Sequence, residues 1–233
     1  MEEEENDEKA ILEQVFGPSS SSEDESESES ESEEEEEEEK WDWVAIEKVK
    51  GLWICSNFLS HHHQNHLLSA INSQNWFTST NNNQAMCFGN LPSWAHQLSH
   101  LIHTSSSSIL PHHLHSRDPF FDQMIVNMYL PGQGICPHVD LLRFQDAIAI
   151  LSLESSCVMH FTPVVAAADA DNSNASSVPV LLNPGSLVLL SGEARYRWKH
   201  EINRNPGFQL WQGIELEQSR RISITLRKLC PDP

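Results

Sequence analysis

From residue 122 onward the apolar positions of this chain recur every second residue, in short runs over 124–130, 147–153, 157–161, 178–182, 186–190, 196–202 and 214–229. A period of two puts alternate side chains on one face, so each run reads as a strand with a face on a core. Pro131-Gly132-Gln133-Gly134 and Asn183-Pro184-Gly185 supply turn residues between the runs. Many short strands at this spacing predict a β-sandwich or jelly roll. Ahead of them the period lengthens to that of a helix. His66, Leu67, Leu68, Ala70 and Ile71 predict one over 58–76 that begins near Ser60, and Trp94, Leu98, Leu101 and Ile102 predict another over 94–102. Residues 164–177, rich in Ala, Asp, Asn and Ser, read as a surface loop between strands.

The first 40 residues follow neither period. They hold 20 Asp and Glu against two Lys, a net of −18, whereas residues 41–233 hold 14 acidic and 12 basic side chains, a net of −2. From Gly17 to Lys40 the chain is Ser and Glu almost without interruption. Such a tract repels itself and has nothing to bury, so residues 1–40 are expected to be a disordered acidic tail and residues 41–233 one folded domain. The tract reads either as a solubilising bristle or, once phosphorylated, as an arm that binds the basic surface of a protein partner. Ile11, Leu12, Val15 and Phe16 recur at helical spacing, as a short helix for a partner's groove or as incidental apolar residues in a solvated stretch.

Cys55, Cys87, Cys136, Cys157 and Cys230 are odd in number and widely spaced, which argues against a disulfide framework or a structural zinc site and fits a reducing compartment. The opening Met-Glu-Glu-Glu-Glu is unlike a signal or transit peptide, and no apolar run approaches the ~20 residues of a membrane span. The expectation is a monomer in the cytoplasm or nucleus, without a membrane partner.

Candidate chemistry lies in the same alternation. In extended backbone His138 and Asp140 project to one side, about 6.6 Å apart at Cα, and Pro137 biases Cys136 toward that conformation. With a distant His200, a His-x-Asp pair is the two-histidine, one-carboxylate set that holds non-haem Fe(II) with positions left open for oxygen. Alone, each motif is more often an ordinary surface or core residue. The run from Arg221 to Arg227 changes that balance. Arg221, Ser223, Thr225 and Arg227 share one face, and Ile222, Ile224 and Leu226 share the other. If the polar face looks into water its arginines are ordinary; if it lines the inside of a jelly roll they are buried cations that require an anion. Their Cα atoms would lie about 20 Å apart, which lets the side chains bracket a short dicarboxylate such as 2-oxoglutarate. Asn127 and Tyr129 offer an amide and a phenol to the same ligand. His61, His62 and His63, and His112, His113 and His115, are not read as further metal sites, because Asn, Gln and Ser surround them without an ordered Cys or carboxylate.

Four ordered motifs carry a resemblance over about residues 85–229. They are Asn127-Met-Tyr129-Leu-Pro-Gly-Gln-Gly-Ile-Cys-Pro-His138-Val-Asp140, Leu151-Ser-Leu153, Ser191-Gly-Glu-Ala-Arg195-Tyr196-Arg-Trp-Lys-His200 and Arg221-x5-Arg227. Together they resemble the AlkB family of Fe(II)- and 2-oxoglutarate-dependent dioxygenases, most closely the dioxygenase domain of the homologue that hydroxylates modified wobble uridines in tRNA. The resemblance implies a mainly β, double-stranded β-helix (jelly roll) with N-terminal helices. It implies that His138, Asp140 and His200 ligate Fe(II), that Arg221 binds the distal carboxylate of 2-oxoglutarate, and that Asn127, Tyr129 and Arg227 support the cosubstrate. With O2 the implied reaction converts 2-oxoglutarate to succinate and CO2 and hydroxylates a C–H bond, releasing formaldehyde where that bond belongs to an N-methyl group. One departure stands out: Glu201 occupies the position after the distal His, where the family usually has Gly.

Three function classes follow. The first is an oxygenase acting on a modified base in nucleic acid, with RNA and tRNA favoured; Trp76, Phe77 and Trp94 precede the barrel where the family keeps its substrate lid, although core packing is the commoner role for each. The second is a protein or small-metabolite oxygenase with the same iron site. The third is a catalytically silent interaction module, which a complete set of iron and cosubstrate residues argues against. Eight of the twelve basic residues after residue 40 lie from Arg195 onward, as a phosphate-binding rim would require. Deleting residues 1–40 is expected to leave the thermal midpoint unchanged, since a disordered tract buries nothing. The same deletion is expected to raise RNA affinity at low salt, with the gain shrinking as salt screens the charge; melting curves and a salt series of binding isotherms check both.

Overall fold

The computed structural model describes residues 41–78, 83–164 and 177–231, so the acidic tail with its apolar stretch, and most of the 164–177 loop, lie outside the described residues. The strands are β1 (Trp43–Ala45), β2 (Leu52–Cys55), β3 (Gln84–Phe88), β4 (Gln123–Tyr129), β5 (Ile135–His138), β6 (Ile148–Leu153) and β7 (Cys157–Pro163), then β8 (Val178–Leu182), β9 (Leu187–Leu190), β10 (Trp198–Ile202), β11 (Leu210–Trp211), β12 (Ile214–Glu215) and β13 (Arg221–Arg227). The helices are α1 (His61–Ser73), α2 (Ser93–Ser105), α3 (His112–His115) and α4 (Glu193–Tyr196). A seven-stranded sheet in the order β1-β2-β9-β6-β13-β4-β3 faces a four-stranded sheet in the order β5-β10-β7-β8, and β11 and β12 form a separate hairpin. All pairings are antiparallel, as expected of a jelly roll.

Two apolar layers explain the arrangement. Between the sheets lie Ile54, Ile148, Ile150, Val188, Leu190, Met159, Phe161 and Ile202. On the outer face of the large sheet, Ala149, Leu151, Leu187, Leu189, Ile222, Ile224 and Leu226 pack against Leu67 and Ile71 of α1 and Trp94, Leu98 and Ile102 of α2. The helical spacing of these five residues is what turns one stripe of each helix to the sheet. Strands β6, β9 and β13 are therefore covered on both faces and buried along their whole length, which is why β6 and β9 read as nearly continuous apolar runs, while β13 alternates because its inner face is polar. Each buried Leu or Ile removed from water contributes about 1.5–3 kcal/mol, so the helix layer holds the large sheet as firmly as the second sheet does.

Local signals set the element ends. The Ser60 Oγ accepts from the His63 amide at 3.3 Å and caps α1. At Gly185 φ is +83°, and a Cβ there would meet the Leu59 carbonyl at 2.6 Å and the Gln64 amide at 2.3 Å, so only glycine lets the β8–β9 turn pass beneath α1. The 196–202 run begins as the turn α4 and becomes a strand only at Trp198. The 214–229 run breaks after Glu215 and resumes as β13 at Arg221; Ile214 and Glu215 instead close a hairpin on Leu210 and Trp211 through the two-residue turn of Gln212 and Gly213, both with positive φ.

Candidate metal centre and cosubstrate cavity

Strands β5 and β10 pair so that His138 and His200 are cross-strand partners, with ring centroids 4.3 Å apart. Such partners on one face stand close enough to share a ligand. Pro137 is tolerated because β5 is the edge of the small sheet, where a missing amide hydrogen breaks no ladder. Asp140 follows in the next segment, and one ligand atom from each of His138, Asp140 and His200 lies within 4.8 Å of the others. Among the described residues this is the one cluster of three or more potential ligands, and the histidines at 61–63 and 112–115 do not form another.

The protonation states suit a cation. The His138 Nδ1 lies 3.0 Å from the Cys136 carbonyl; since a carbonyl only accepts, Nδ1 donates and Nε2 is left as the ligand atom. The His200 Nε2 lies 3.7 Å from the Asp140 carboxylate. Burial pushes His200 down to about 4 despite the opposing pull of Asp140, so the ring is neutral at pH 7, the form that binds metal. Both His200 and Asp140 are buried, and His138 is half-buried at the mouth.

The inner face of β13 continues the site. Arg221, Ser223, Thr225 and Arg227 line a cavity with Asn127, Tyr129, His138 and His200, on the side opposite the helices. The sheet register places Arg221 beside Tyr129 and Ser223 beside Asn127 on β4, and Ser223 beside Ser152 on β6. The Arg221 Nε donates to Ser152 Oγ at 2.9 Å, while Nη1 and Nη2 are buried with no partner. Its guanidinium lies 5.6 Å from the Tyr129 ring centre, and burial raises the Tyr129 phenol, which stays protonated. Asn127 accepts from the Gln84 side chain at 2.6 Å, so its own amide hydrogens remain for the cavity.

Arg227 is placed differently from Arg221. Its Nη2 is ion-paired with Asp140 Oδ1, and its Nη1 donates to Gln123 Oε1 at 3.2 Å. It therefore orients the metal-site carboxylate directly, whereas the Arg221 head is the one left open for an anion. Glu201 alternates away from His200 and lies across from His160 on β7, and the β7–β10 ladder runs through it without a break. Trp94 is buried in the helix-side core, and Trp76 and Phe77 pack against that same core. All three are thus on the opposite face of the large sheet from the metal ligands.

Two contributors were not assigned from sequence. Arg195, inside the quoted Gly-Glu-Ala-Arg-Tyr run, is almost fully buried and donates to the carbonyls of Asp140 at 3.0 Å, Leu141 at 2.7 Å and Phe144 at 3.0 Å. It clamps the loop that carries the carboxylate ligand; the polar residues around it, from Ser191 to His200, gave no sign that this one is buried. Gln84, whose amide orients Asn127, stands on the edge strand β3, which no periodicity announced.

A jelly roll whose interior holds two imidazoles and a carboxylate beside an unpaired guanidinium is the architecture of a metal-dependent oxygenase. The family model of the 2OG-Fe(II) oxygenase superfamily matches residues 78–227, and the chain belongs to that superfamily; the curated relatives it matches include AlkB homologues, and it spans 60% or less of their length. An Arabidopsis thaliana relative described as an alkylated DNA repair protein ALKBH8 homolog is 30% identical over 212 residues, 79% of this chain and 60% of that protein. The Xenopus tropicalis tRNA (carboxymethyluridine(34)-5-O)-methyltransferase alkbh8 is 46% identical over 82 residues, 35% of this chain but 12% of that protein. Among solved structures OsALKBH1 superposes with a TM-score of 0.53 at 15% identity, covering 76% of this chain and 96% of that one, which shows the shared fold. The superfamily's cofactors are Fe(II), 2-oxoglutarate and O2. The cavity fits them: two imidazoles and a carboxylate suit Fe(II), and the two free Nη groups of Arg221 suit a carboxylate.

Because Arg227 orients Asp140, Arg227→Met is expected to lower Fe(II) or Mn(II) affinity by about 10- to 100-fold, as loss of an outer hydrogen-bond partner usually does. Metal titration of the purified apoprotein checks this. Metal affinity equal to wild type would show that Asp140 is held without Arg227.

Proposed function

We propose that the protein oxidises a modified base in RNA, with tRNA the first substrate to test, by hydroxylation or demethylation. Under this reading His138, Asp140 and His200 hold Fe(II), and Arg221, with Tyr129 and Asn127, seats 2-oxoglutarate. The observation that carries the oxygenase reading is the convergence of the three ligand atoms next to a buried guanidinium with two unpartnered nitrogens. Support for RNA comes from the relatives: the Xenopus protein is named for a tRNA reaction, and the described match lies in a segment of it. The concentration of Lys and Arg after residue 194 supplies the charge that phosphate contacts need.

Fe(II) and 2-oxoglutarate, once bound, supply oxidative decarboxylation coupled to hydroxylation of a substrate C–H bond by O2. The chain's own part is positioning. Arg195 and Arg227 fix the carbonyl and the carboxylate of Asp140, the Cys136 carbonyl fixes the His138 ring, and Tyr129 shields the Arg221 head from water. A substrate base has to be unpaired or flipped to reach ligands this deep.

His138→Ala and His200→Ala are expected to abolish succinate formation from 2-oxoglutarate while leaving the fold intact; turnover at the wild-type rate in either variant would sink the metal assignment. Arg221→Ala removes a charge-assisted pair worth about 1.5–3 kcal/mol, so the 2-oxoglutarate KM should rise about 10- to 100-fold. Arg221→Lys should recover part of the loss, because an ammonium keeps the charge without the fork. For the substrate, the enzyme with iron, ascorbate and 2-oxoglutarate is incubated with tRNA, methylated single-stranded oligonucleotides and cell protein extract, and product masses are followed. A mass change in a tRNA nucleoside is expected. Oxidation confined to protein would replace RNA by the protein-oxygenase reading.

A further inference from the structure

Arg204 is a second buried arginine at the Arg221 end of the interior, and its charge is unmatched. It is 5% exposed, its Nη1 donates to the Ser219 carbonyl at 3.2 Å, and its Nε and Nη2 are buried without a partner. Arg204 lies two residues past the end of β10 in a cleft that shares Ile135 and Ile202 with the cavity wall, and it is near enough to Arg221 and Tyr129 for their charges to act on one another. Its stem runs beneath Gly134, where a Cβ would lie 3.7 Å from the Arg204 Cγ and 1.9 Å from the Ile202 carbonyl, so a side chain at 134 would displace the strand that carries this arginine.

Of the neighbouring cations, Arg227 is paired with Asp140 and Arg220 with Glu154, and Arg195 donates to three backbone carbonyls. Among the described residues neither Arg204 nor Arg221 has a carboxylate partner, and together they present four buried N–H nitrogens with nothing to donate to. Each lies near enough to act on the Tyr129 phenol and the Cys157 thiol, yet burial keeps both of those groups protonated, so neither serves as the missing anion. Two desolvated guanidiniums that act on each other repel, and an anion joining them relieves that cost.

We propose that Arg204 acts with Arg221 as a two-guanidinium seat for the distal carboxylate of 2-oxoglutarate, Arg204 offering Nε and Nη2 and Arg221 offering Nη1 and Nη2. The inference rests on the reading of the cavity given under the proposed function. It makes Arg204 a cosubstrate-binding residue and the seat selective for acids with a distal carboxylate.

The test uses the Mn(II)-loaded full chain under anaerobic conditions, with calorimetric titration of 2-oxoglutarate and, in parallel, of oxalate, which chelates a metal but has no distal arm. Arg204→Gln, which keeps a donor for the Ser219 carbonyl, should weaken 2-oxoglutarate about tenfold or more and leave oxalate unchanged. Arg204→Lys, which keeps the charge and loses the fork, should fall between and carries the test alone if the Gln variant does not fold. An unchanged 2-oxoglutarate affinity in both variants, with Arg221→Gln weakened, would overturn the role of Arg204 alone. Equal weakening of 2-oxoglutarate and oxalate would also overturn it, since the residue would then be supporting the fold or the metal. If the wild-type protein bound oxalate but not 2-oxoglutarate, both this inference and the cavity reading beneath it would fall.

Discussion

On a strand covered on both faces a charge is costly unless another charge meets it, and β13 is such a strand. One face is Ile222, Ile224 and Leu226 against the helices; the other puts Arg221 and Arg227 into the interior between the sheets. The buried pair of Arg227 with Asp140 therefore ties the metal-site carboxylate to the centre of the large sheet. Breaking a buried pair from one side typically costs about 3–5 kcal/mol, because the remaining charge is left without water or partner. The position of Asp140 is thus fixed by the same burial that stabilises the fold, and the metal centre is not an ornament on a loop.

That dependence explains what could be read from the sequence. Strand alternation gives the two faces of β13 directly, and the interior position of its polar face follows once a jelly roll encloses it. The i, i+2 spacing of His138 and Asp140 likewise places both on one side. The role of Arg227 was harder to read, because an arginine six residues from another looks equally suited to bracket a ligand or to pair with an acid. Only the tertiary fold brings Asp140, 87 positions earlier in the chain, against it. Strands β1, β2 and β3 escaped for a different reason: they are three to five residues long, and β1 and β3 are sheet edges with mostly polar or half-exposed positions, so no period develops. Trp76 and Phe77 show the converse limit. Aromatic residues ahead of a barrel look alike whether they face a substrate or a core, and only packing places them on the helix side.

The two halves of the metal site are held with unequal strength. His200 sits on β10, an inner strand paired on both sides, whereas His138 sits on the edge strand β5, which pairs with β10 through a short, shifted register. An edge with few ladder bonds opens more readily than the sheet behind it. His138 and His200, which would hold the metal, stand on the two sides of that pairing, so a bound ion would tie the edge strand to the inner one. The Arg195 clamp on the Asp140, Leu141 and Phe144 carbonyls limits how far the mouth can open, because the third ligand stays in place when β5 moves.

The electrostatics of the interior point the same way. Residues 41–233 carry a net of only −2, yet the cavity and its floor gather Arg195, Arg204, Arg221 and Arg227 around a single carboxylate among the described residues. The positive field is therefore local to the cavity and not a property of the whole domain, which makes it a selector of small anions. Arg227 is paired with Asp140 and Arg195 donates to three carbonyls, whereas Arg204 and Arg221 each leave two buried nitrogens without a partner. An acid that neutralises them binds the folded chain and not the unfolded one. At a concentration 100 times its dissociation constant such a ligand adds about 2.7 kcal/mol to stability. Under the seat proposed for Arg204 and Arg221, the interior charge that weakens the empty fold is the same charge that would give a dicarboxylate its affinity.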